Sequence, residues 1–184
     1  LPNNEILIVL RQIASWQSHE WLGQLKEQDT PLTLILISPD NFSKFNRVHG
    51  RNEGDQVLSE ITHNMSKILR DGDFVSRFSG AVFAAHLPET NEQQGQGLAT
   101  RMLQMLRSTS FSSKEIKLEF SFGMATLEAE ERLGEKSPLE LFRRANAALQ
   151  AARSVGGGKL VIWKPQFDAN ILANLDRMNG SFSE

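Results

Sequence analysis

Polar chemistry in this 184-residue chain comes from carboxylates, guanidiniums, ammoniums, amides, hydroxyls and four imidazoles, because it contains no cysteine. Disulfides, thiolate zinc sites and cysteine nucleophiles are thereby excluded. His19, His49, His63 and His86 show no metal-ligand spacing, and Trp16, Trp21 and Trp163 read as packing residues. The remaining polar groups each have an ordinary reading. Arg70, followed by Asp73, places a guanidinium fork near a carboxylate. An arginine there also complements a helix C-terminus, and Asp71-Gly72-Asp73 also reads as a polar turn. Asn46 suits a helix C-cap before Val48-His49-Gly50. Asp55 suits a first-turn acid, and Arg101 a solvated surface position. A fork donates to two acceptors on a base edge or phosphate, a carboxylate accepts, and an amide does both. Residue type alone does not choose between these readings.

The elements that must position these groups follow from periodicity. Ile6, Leu10, Ile13, Leu22 and Leu25 recur at helical spacing from Glu5 to about Lys26. Asp29-Thr30-Pro31 breaks the chain, and Leu32–Ile37 is a short continuous apolar run that predicts a buried strand. A helical turn over Phe42–Val48 and a helix over Glu53–Leu69 come next. Phe74–Phe78 and Ala81–Leu87 predict a hairpin around Ser79-Gly80. A helix over Gln93–Arg107, a strand over Ile116–Ala125, and a helix from Ser137-Pro138 to about Arg153 follow in turn. Gly156-Gly157-Gly158 ends that helix, and Lys159–Trp163 is a last strand. Helices between strands with one hairpin predict an α/β (α+β) fold on a mixed sheet.

Forty per cent of the residues are hydrophobic and 23% charged, which suits one compact domain with its own core. A formal charge of −2 lacks the basic footprint expected of a binder of long nucleic acid. The longest apolar stretch is too short to cross a bilayer, and no signal peptide is recognisable. The expected location is the cytoplasm, including the cytoplasmic part of a membrane-anchored protein.

Three segments resemble the GGDEF family in order and at the family's spacing. Asp40-Asn41-Phe42, Asn46, Gly50, Gly54 and Asp55 follow D-x-D-x-F-K-x-x-N-D-x-x-G-H-x-x-G-D. Arg70-Asp71-Gly72-Asp73, then Arg77-Phe78-Ser79-Gly80-Ala81-Val82-Phe83, stand where the family has R-x-x-D, five residues, and G-G-D/E-E-F. Ser121-Phe122-Gly123 and Arg144-Ala145-Asn146-Ala147-Ala148-Leu149 are similar to its S-x-G strand and A-D-x-A-L-Y-x-A-K helix. Leu1-Pro2-Asn3 resembles the end of its T-G-L-P-N-R opening. The resemblance runs from residue 1 to about 162 and implies a palm-like fold shared with nucleotide cyclases. An active member joins two GTP molecules into cyclic di-GMP, using two Mg²⁺ ions on acidic side chains.

What the resemblance implies for this chain is a degenerate member. The family's first metal carboxylate falls on Ser38, a poor ligand for a hard cation. In an extended segment Asp40 would share the face of Ser38 about 6–7 Å further along. Both acids of the signature turn have become apolar, at Ala81 and Val82, and Ser79 replaces a glycine. No catalytic residue, metal or cofactor is therefore expected. Asn46 and Asp55 match the family's guanine readers, and Arg153 its phosphate-binding lysine, while the family's terminal arginine falls on Gly157. Arg70, Asp73 and Arg101 match the inhibitory product site, where a fork reads a guanine edge, a carboxylate accepts from the ring, and a second arginine takes a phosphate or stacks.

The expected function is a non-catalytic regulatory domain that binds cyclic di-GMP. The alternatives are a GTP-binding pseudo-enzyme or a structural dimerisation or partner-binding domain. Residues 1–163 form the domain. Residues 164–184 resemble the helical connector that leads to an EAL phosphodiesterase domain, so an EAL or sensory domain and a second copy are expected partners.

Overall fold

The computed structural model describes residues 29–133 and 138–167. The elements run β1 (Leu32–Pro39), α1 (Phe42–His49), α2 (Arg51–Ser66), β2 (Phe74–Ser79), β3 (Val82–Pro88), α3 (Glu92–Ser108), β4 (Phe120–Leu127), α4 (Ala129–Leu133), α5 (Pro138–Ser154) and β5 (Leu160–Ile162). The helix expected from Glu5, residue Ser137 and the connector beyond residue 167 lie outside the described residues. Among the described residues no helix is long and apolar enough to cross a membrane.

The sheet order is β2-β3-β1-β4-β5. All neighbours are antiparallel except β4 and β5, which are parallel. β1 is the central strand and every residue of it is buried, which explains its unbroken apolar run. Side chains alternate between faces along a strand. Ile35 and Ile37 accordingly join the core under α1, α2 and α3, with Phe83, Phe122, Val57, Ile61 and Met102. Leu32, Leu34 and Leu36 join the second core under α5, with Leu141, Phe142, Ala145 and Leu149.

The α5 face closes on β4 at Gly123. A Cβ there would meet Leu149 N at 2.2 Å and Ala145 O at 2.3 Å, so only glycine admits the helix this close. Arg144 of α5, 4% exposed, pairs with Glu131 and Glu140 at 2.9 Å each. Its guanidinium carbon also lies 4.1 Å from the ring centre of Trp163, a cation–π contact that ties the end of β5 to α5. Trp163 is thus the packing residue its sequence context suggested.

Several boundaries differ from expectation. β1 extends through Ser38 and Pro39, which keep pairing with Ser121 and Phe120. α2 ends at Ser66, and Ile68 and Leu69 pack on the core from a loop. The strand expected from Ile116 begins at Phe120. Before it, Phe111 and Ile116 form an isolated bridge. The short helix α4 was not foreseen. α3 begins at Glu92 behind a capping box made by Asn91 and Gln94.

Candidate functional site

The hairpin β2–β3 has two ends, and the residues singled out by sequence gather at both. At the turn end, β1, α1, the hairpin loop and the glycine run after α5 enclose a cavity of about 630 Å³. Ser38, Asp40, Ala81, Val82 and Arg153 line it together. Strand alternation puts Ser38 on the α5 face of β1, and Arg153 reaches it from the last turn of α5. Arg153 Nη2 donates to Ser38 Oγ at 2.6 Å. Asp40 points both oxygens at the protein. Ser121 Oγ hydrogen-bonds Oδ1 at 2.6 Å, and the Gly158 N–H donates to Oδ2 at 2.8 Å.

The pair of divalent ions implied by the resemblance does not fit these residues. Mg²⁺ needs near-octahedral oxygen ligands, usually with carboxylates among them. Ser38 offers a neutral hydroxyl that already accepts from a guanidinium. Ala81 and Val82 carry no side-chain oxygen. Asp40 Oδ1 and Oδ2 already accept from Ser121 and Gly158, respectively. No group of three His, Asp or Glu side chains suited to a metal occurs among the described residues.

Asn46 and Asp55 are not part of the cavity lining. Asn46 points its amide at the neighbouring helix, where a Cβ on Gly54 would lie 1.9 Å from Oδ1. That oxygen is buried and has no hydrogen-bond partner. The C-cap of α1 is Gly50, whose N–H donates to the Asn46 carbonyl at 2.9 Å. Asp55 is exposed and sits beyond the first turn of α2, where Glu53 is the acid. Asn46 and Asp55 thus stand on α1 and α2, outside the residues that line the cavity with Arg153.

At the opposite end of the hairpin, Arg70, Asp73 and Arg101 line one hollow of about 290 Å³ with Ile68, Thr90, Gln94 and Leu98. Arg70 and Asp73 bracket a turn closed by Asp73 N–H to Arg70 O at 3.0 Å. Arg70 follows α2 by a short loop instead of ending it, because the helix stops at Ser66. Its Nε donates to Asp73 Oδ1 at 3.1 Å, and its Nη2 donates to Pro88 O and Thr90 Oγ1 at 2.7 Å each. The Asp73 side chain is 3% exposed against 57% for Arg70. Asp73 Oδ2 also accepts from the Arg70 N–H at 3.2 Å. Asp73 thus holds the arginine, and the arginine presents its outer edge. Arg101 projects from α3, exposed.

Sequence reasoning missed the partners that hold Arg70, namely Thr90 and the Pro88 carbonyl. Nothing local signals them, since they lie on the far side of β2 and β3. It also missed Lys44 and Arg47, which line the turn-end cavity with Arg153. Beneath the Arg70 end, His86 of β3 is buried, pairs in register with Phe74 and stacks on it at 4.4 Å. Burial pushes the His86 pKa down to about 3.

The family described as "Diguanylate cyclase, GGDEF domain" matches residues 10–159. The diguanylate cyclase DgcP of Pseudomonas aeruginosa is 32% identical over 133 residues, covering 71% of this chain and 19% of DgcP. The chain spans less than a third of the length of the curated relatives it matches. Among solved structures, the active GGEEF domain of a diguanylate cyclase from Vibrio cholerae superposes with a TM-score of 0.69 at 24% identity, covering 78% of this chain and 89% of that one. A microbial GGDEF domain, solved in a study of its interaction with cyclic di-GMP, superposes with a TM-score of 0.64 at 26% identity, covering 78% and 83%. A family match over most of the length, on a five-stranded sheet shared with solved members, establishes that this chain belongs to the GGDEF domain family of the diguanylate cyclases.

Proposed function

We propose that this GGDEF domain is a non-catalytic receptor module that binds cyclic di-GMP at the Arg70 end of the hairpin. The observation that carries the reading is the convergence of Arg70, Asp73 and Arg101 on one hollow. Two cationic side chains there meet the needs of a ligand with two guanines and two phosphates. Arg70 is held by Asp73, Pro88 and Thr90 with its outer edge in solvent. A fork fixed in this way loses less entropy on binding a base edge than a free one. Arg101 has no bonded partner among the described residues and is free to take a phosphate or stack on a base. Asp73 acts through Arg70, because both its oxygens already serve that residue. The relative solved with cyclic di-GMP in view adds weight to this choice of ligand.

The cyclase reaction is lost in this reading. It needs metal-bound carboxylates, and Ser38, Ala81, Val82 and the occupied Asp40 supply none. The module's output in a longer protein would pass to a neighbouring domain through the chain that follows Trp163, the residue on which Arg144 stacks.

Calorimetry with cyclic di-GMP tests the proposal. Binding in the micromolar range or tighter is expected, about −8 kcal/mol or better. Arg70→Ala costs about 1.5–3 kcal/mol, the scale of a hydrogen bond to a charged group, made here by Nη1. Arg101→Ala weakens binding without lowering the melting temperature, and Arg51→Ala, exposed on α2, changes neither. A flat titration at tens of micromolar ligand would reject the receptor role and favour a structural domain.

A further inference from the structure

The Arg70 hollow rests on a buried hydroxyl that does not line it. Thr33 lies in the central strand β1, fully buried, on the face that α3 covers. Its neighbours on that face, Ile35 and Ile37, are apolar. A hydroxyl in such a place is costly unless it is bonded, and valine would fill the same space without one. Thr33 Oγ1 donates to the Thr90 carbonyl at 2.7 Å. That bond uses its single proton, so in the 2.6 Å contact between Thr33 Oγ1 and Thr126 Oγ1 the donor is Thr126. The chain of hydroxyls therefore runs one way, from Thr126 to Thr33 to the main chain of Thr90.

Thr90 is the residue whose own hydroxyl accepts from Arg70 Nη2. The same hydroxyl donates to Pro88 O at 2.7 Å, the carbonyl that also takes Arg70 Nη2. Between Pro88 and Thr90, Glu89 has a φ of 47°. A residue other than glycine keeps this left-handed backbone when its surroundings impose it, and such strain gathers at ligand clamps. Here the surroundings are the Thr33 bond and a bond from the Thr90 N–H to Pro31 O at 3.2 Å. The methyl of Thr33 meets α3. A Cβ on Gly95 would lie 2.8 Å from Thr33 Cγ2, so the helix sits directly on this side chain. α3 carries Gln94, Leu98 and Arg101 of the hollow's lining. One buried residue thus locates both the anchor of Arg70 and the helix that bears Arg101.

We propose that Thr33 is a positioning residue for the Arg70 hollow: its hydroxyl, oriented by Thr126, holds Thr90 where Thr90 can hold Arg70. The effect on ligand affinity rests on the receptor reading given above, whereas the effect on Arg70 belongs to the free protein. Asp73 still holds Nε when the Thr33 hydroxyl is removed, so the Nη2 end of the fork is the part that loosens.

The test is NMR of the isotope-labelled full chain without ligand, reading rotation of the Arg70 guanidinium about its Nε–Cζ bond. The signal is assigned by its loss in Arg70→Lys. Rotation is expected to be slow, because Nη2 is bonded to Pro88 and Thr90. Thr33→Val should speed it at least about threefold, the scale of one weakened hydrogen bond, and Thr33→Ser, which keeps the hydroxyl, should leave it slow. Leu36→Val, a core change on the opposite face of β1, should also leave it slow, which separates positioning from a general loss of stability. In calorimetry Thr33→Val should weaken cyclic di-GMP binding about three- to tenfold, and Thr33→Ser by less. A flat titration of the unsubstituted chain rejects the receptor reading, and the rotation rates then decide the positioning role alone. Melting curves check folding, and Thr33→Ser remains decisive if Thr33→Val does not fold. Fast rotation in the unsubstituted chain or in Thr33→Ser, unchanged rotation in Thr33→Val, or unchanged affinity in Thr33→Val of a chain that binds would each overturn the proposal.

Discussion

The two ends of the β2–β3 hairpin use the same kinds of residues to opposite effect. At the turn end Asp40 lines the cavity with its oxygens bonded to Ser121 and Gly158, and Lys44, Arg47 and Arg153 have no acidic partner among the described residues. At the other end the carboxylate Asp73 is turned onto Arg70 and fixes it, with Arg101 nearby. One end carries Ser38, Ala81 and Val82, none of which offers a carboxylate. The other keeps an acid whose work is to aim a base. The contrast shows why motif survival has to be judged by what each carboxylate touches. Asp40 and Asp73 are both retained family positions, yet Asp40 bonds a serine and a backbone N–H while Asp73 positions an arginine side chain.

The largest expected effect sharpens this contrast by removing the support of one end. Gly123→Val drives a side chain into the backbone of α5, the helix that carries Arg153. A loss of about 3 kcal/mol or more is expected in denaturant unfolding. An unchanged midpoint would mean that α5 does not pack on β4 in this way.

The next effect belongs to the Arg70 end and depends on pH. Folding keeps His86 neutral, with its pKa near 3 against an ordinary value of 6.5. Below pH 6.5 the unfolded chain binds a proton that the folded chain refuses. The corresponding stability is fully present above pH 6.5 and is lost as pH falls toward 3, at most about 1.4 kcal/mol per pH unit. His86→Phe should flatten the stability profile between pH 6.5 and 5, above the range where most carboxylates titrate. An unchanged slope would mean that His86 takes up its proton in the folded state.

A smaller effect tests the positioning role of Asp73. Asp73→Ala should lower stability by about 1 kcal/mol, since Arg70 keeps Pro88 and Thr90 and stays partly in water. Cyclic di-GMP affinity should nevertheless fall, because the fork is no longer aimed. If affinity is kept, Pro88 and Thr90 suffice to hold Arg70. The smallest expected effect is none. Ser38→Asp alone should not produce cyclic di-GMP from GTP with Mg²⁺ or Mn²⁺, because the new carboxylate would meet Arg153 and the turn still carries Ala81 and Val82. Product formation in that variant would show that one acid is enough.

Much of the scaffold was legible because burial leaves a periodic trace. The central strand announced itself as a continuous apolar run, the hairpin by its turn residues and α3 by its helical periodicity. Element ends were less legible. Ile68 and Leu69 continue the apolar pattern of α2 although they pack from a loop, so periodicity overran the helix. Ser38 and Pro39 stay in β1 because cross-strand pairing with β4 continues, which no local propensity records. The sites were legible as positions through the family spacing, but not as surroundings. Arg153 meets Ser38 across 115 residues, and Arg70 meets Thr90 across 20. Asn46 and Asp55 hold the positions that the resemblance gives to the family's guanine readers, and they are not among the residues that line the cavity with Arg153.

Whether cyclic di-GMP engages the Arg70 end and leaves the turn end alone is tested most directly by chemical-shift mapping of the isotope-labelled chain during a cyclic di-GMP titration. Perturbations concentrated at Arg70, Asp73, Thr90, Gln94 and Arg101 are expected, with Ser38, Asp40 and Val82 unmoved. Shifts centred on Ser38 and Val82, or none anywhere at saturating ligand, would contradict this.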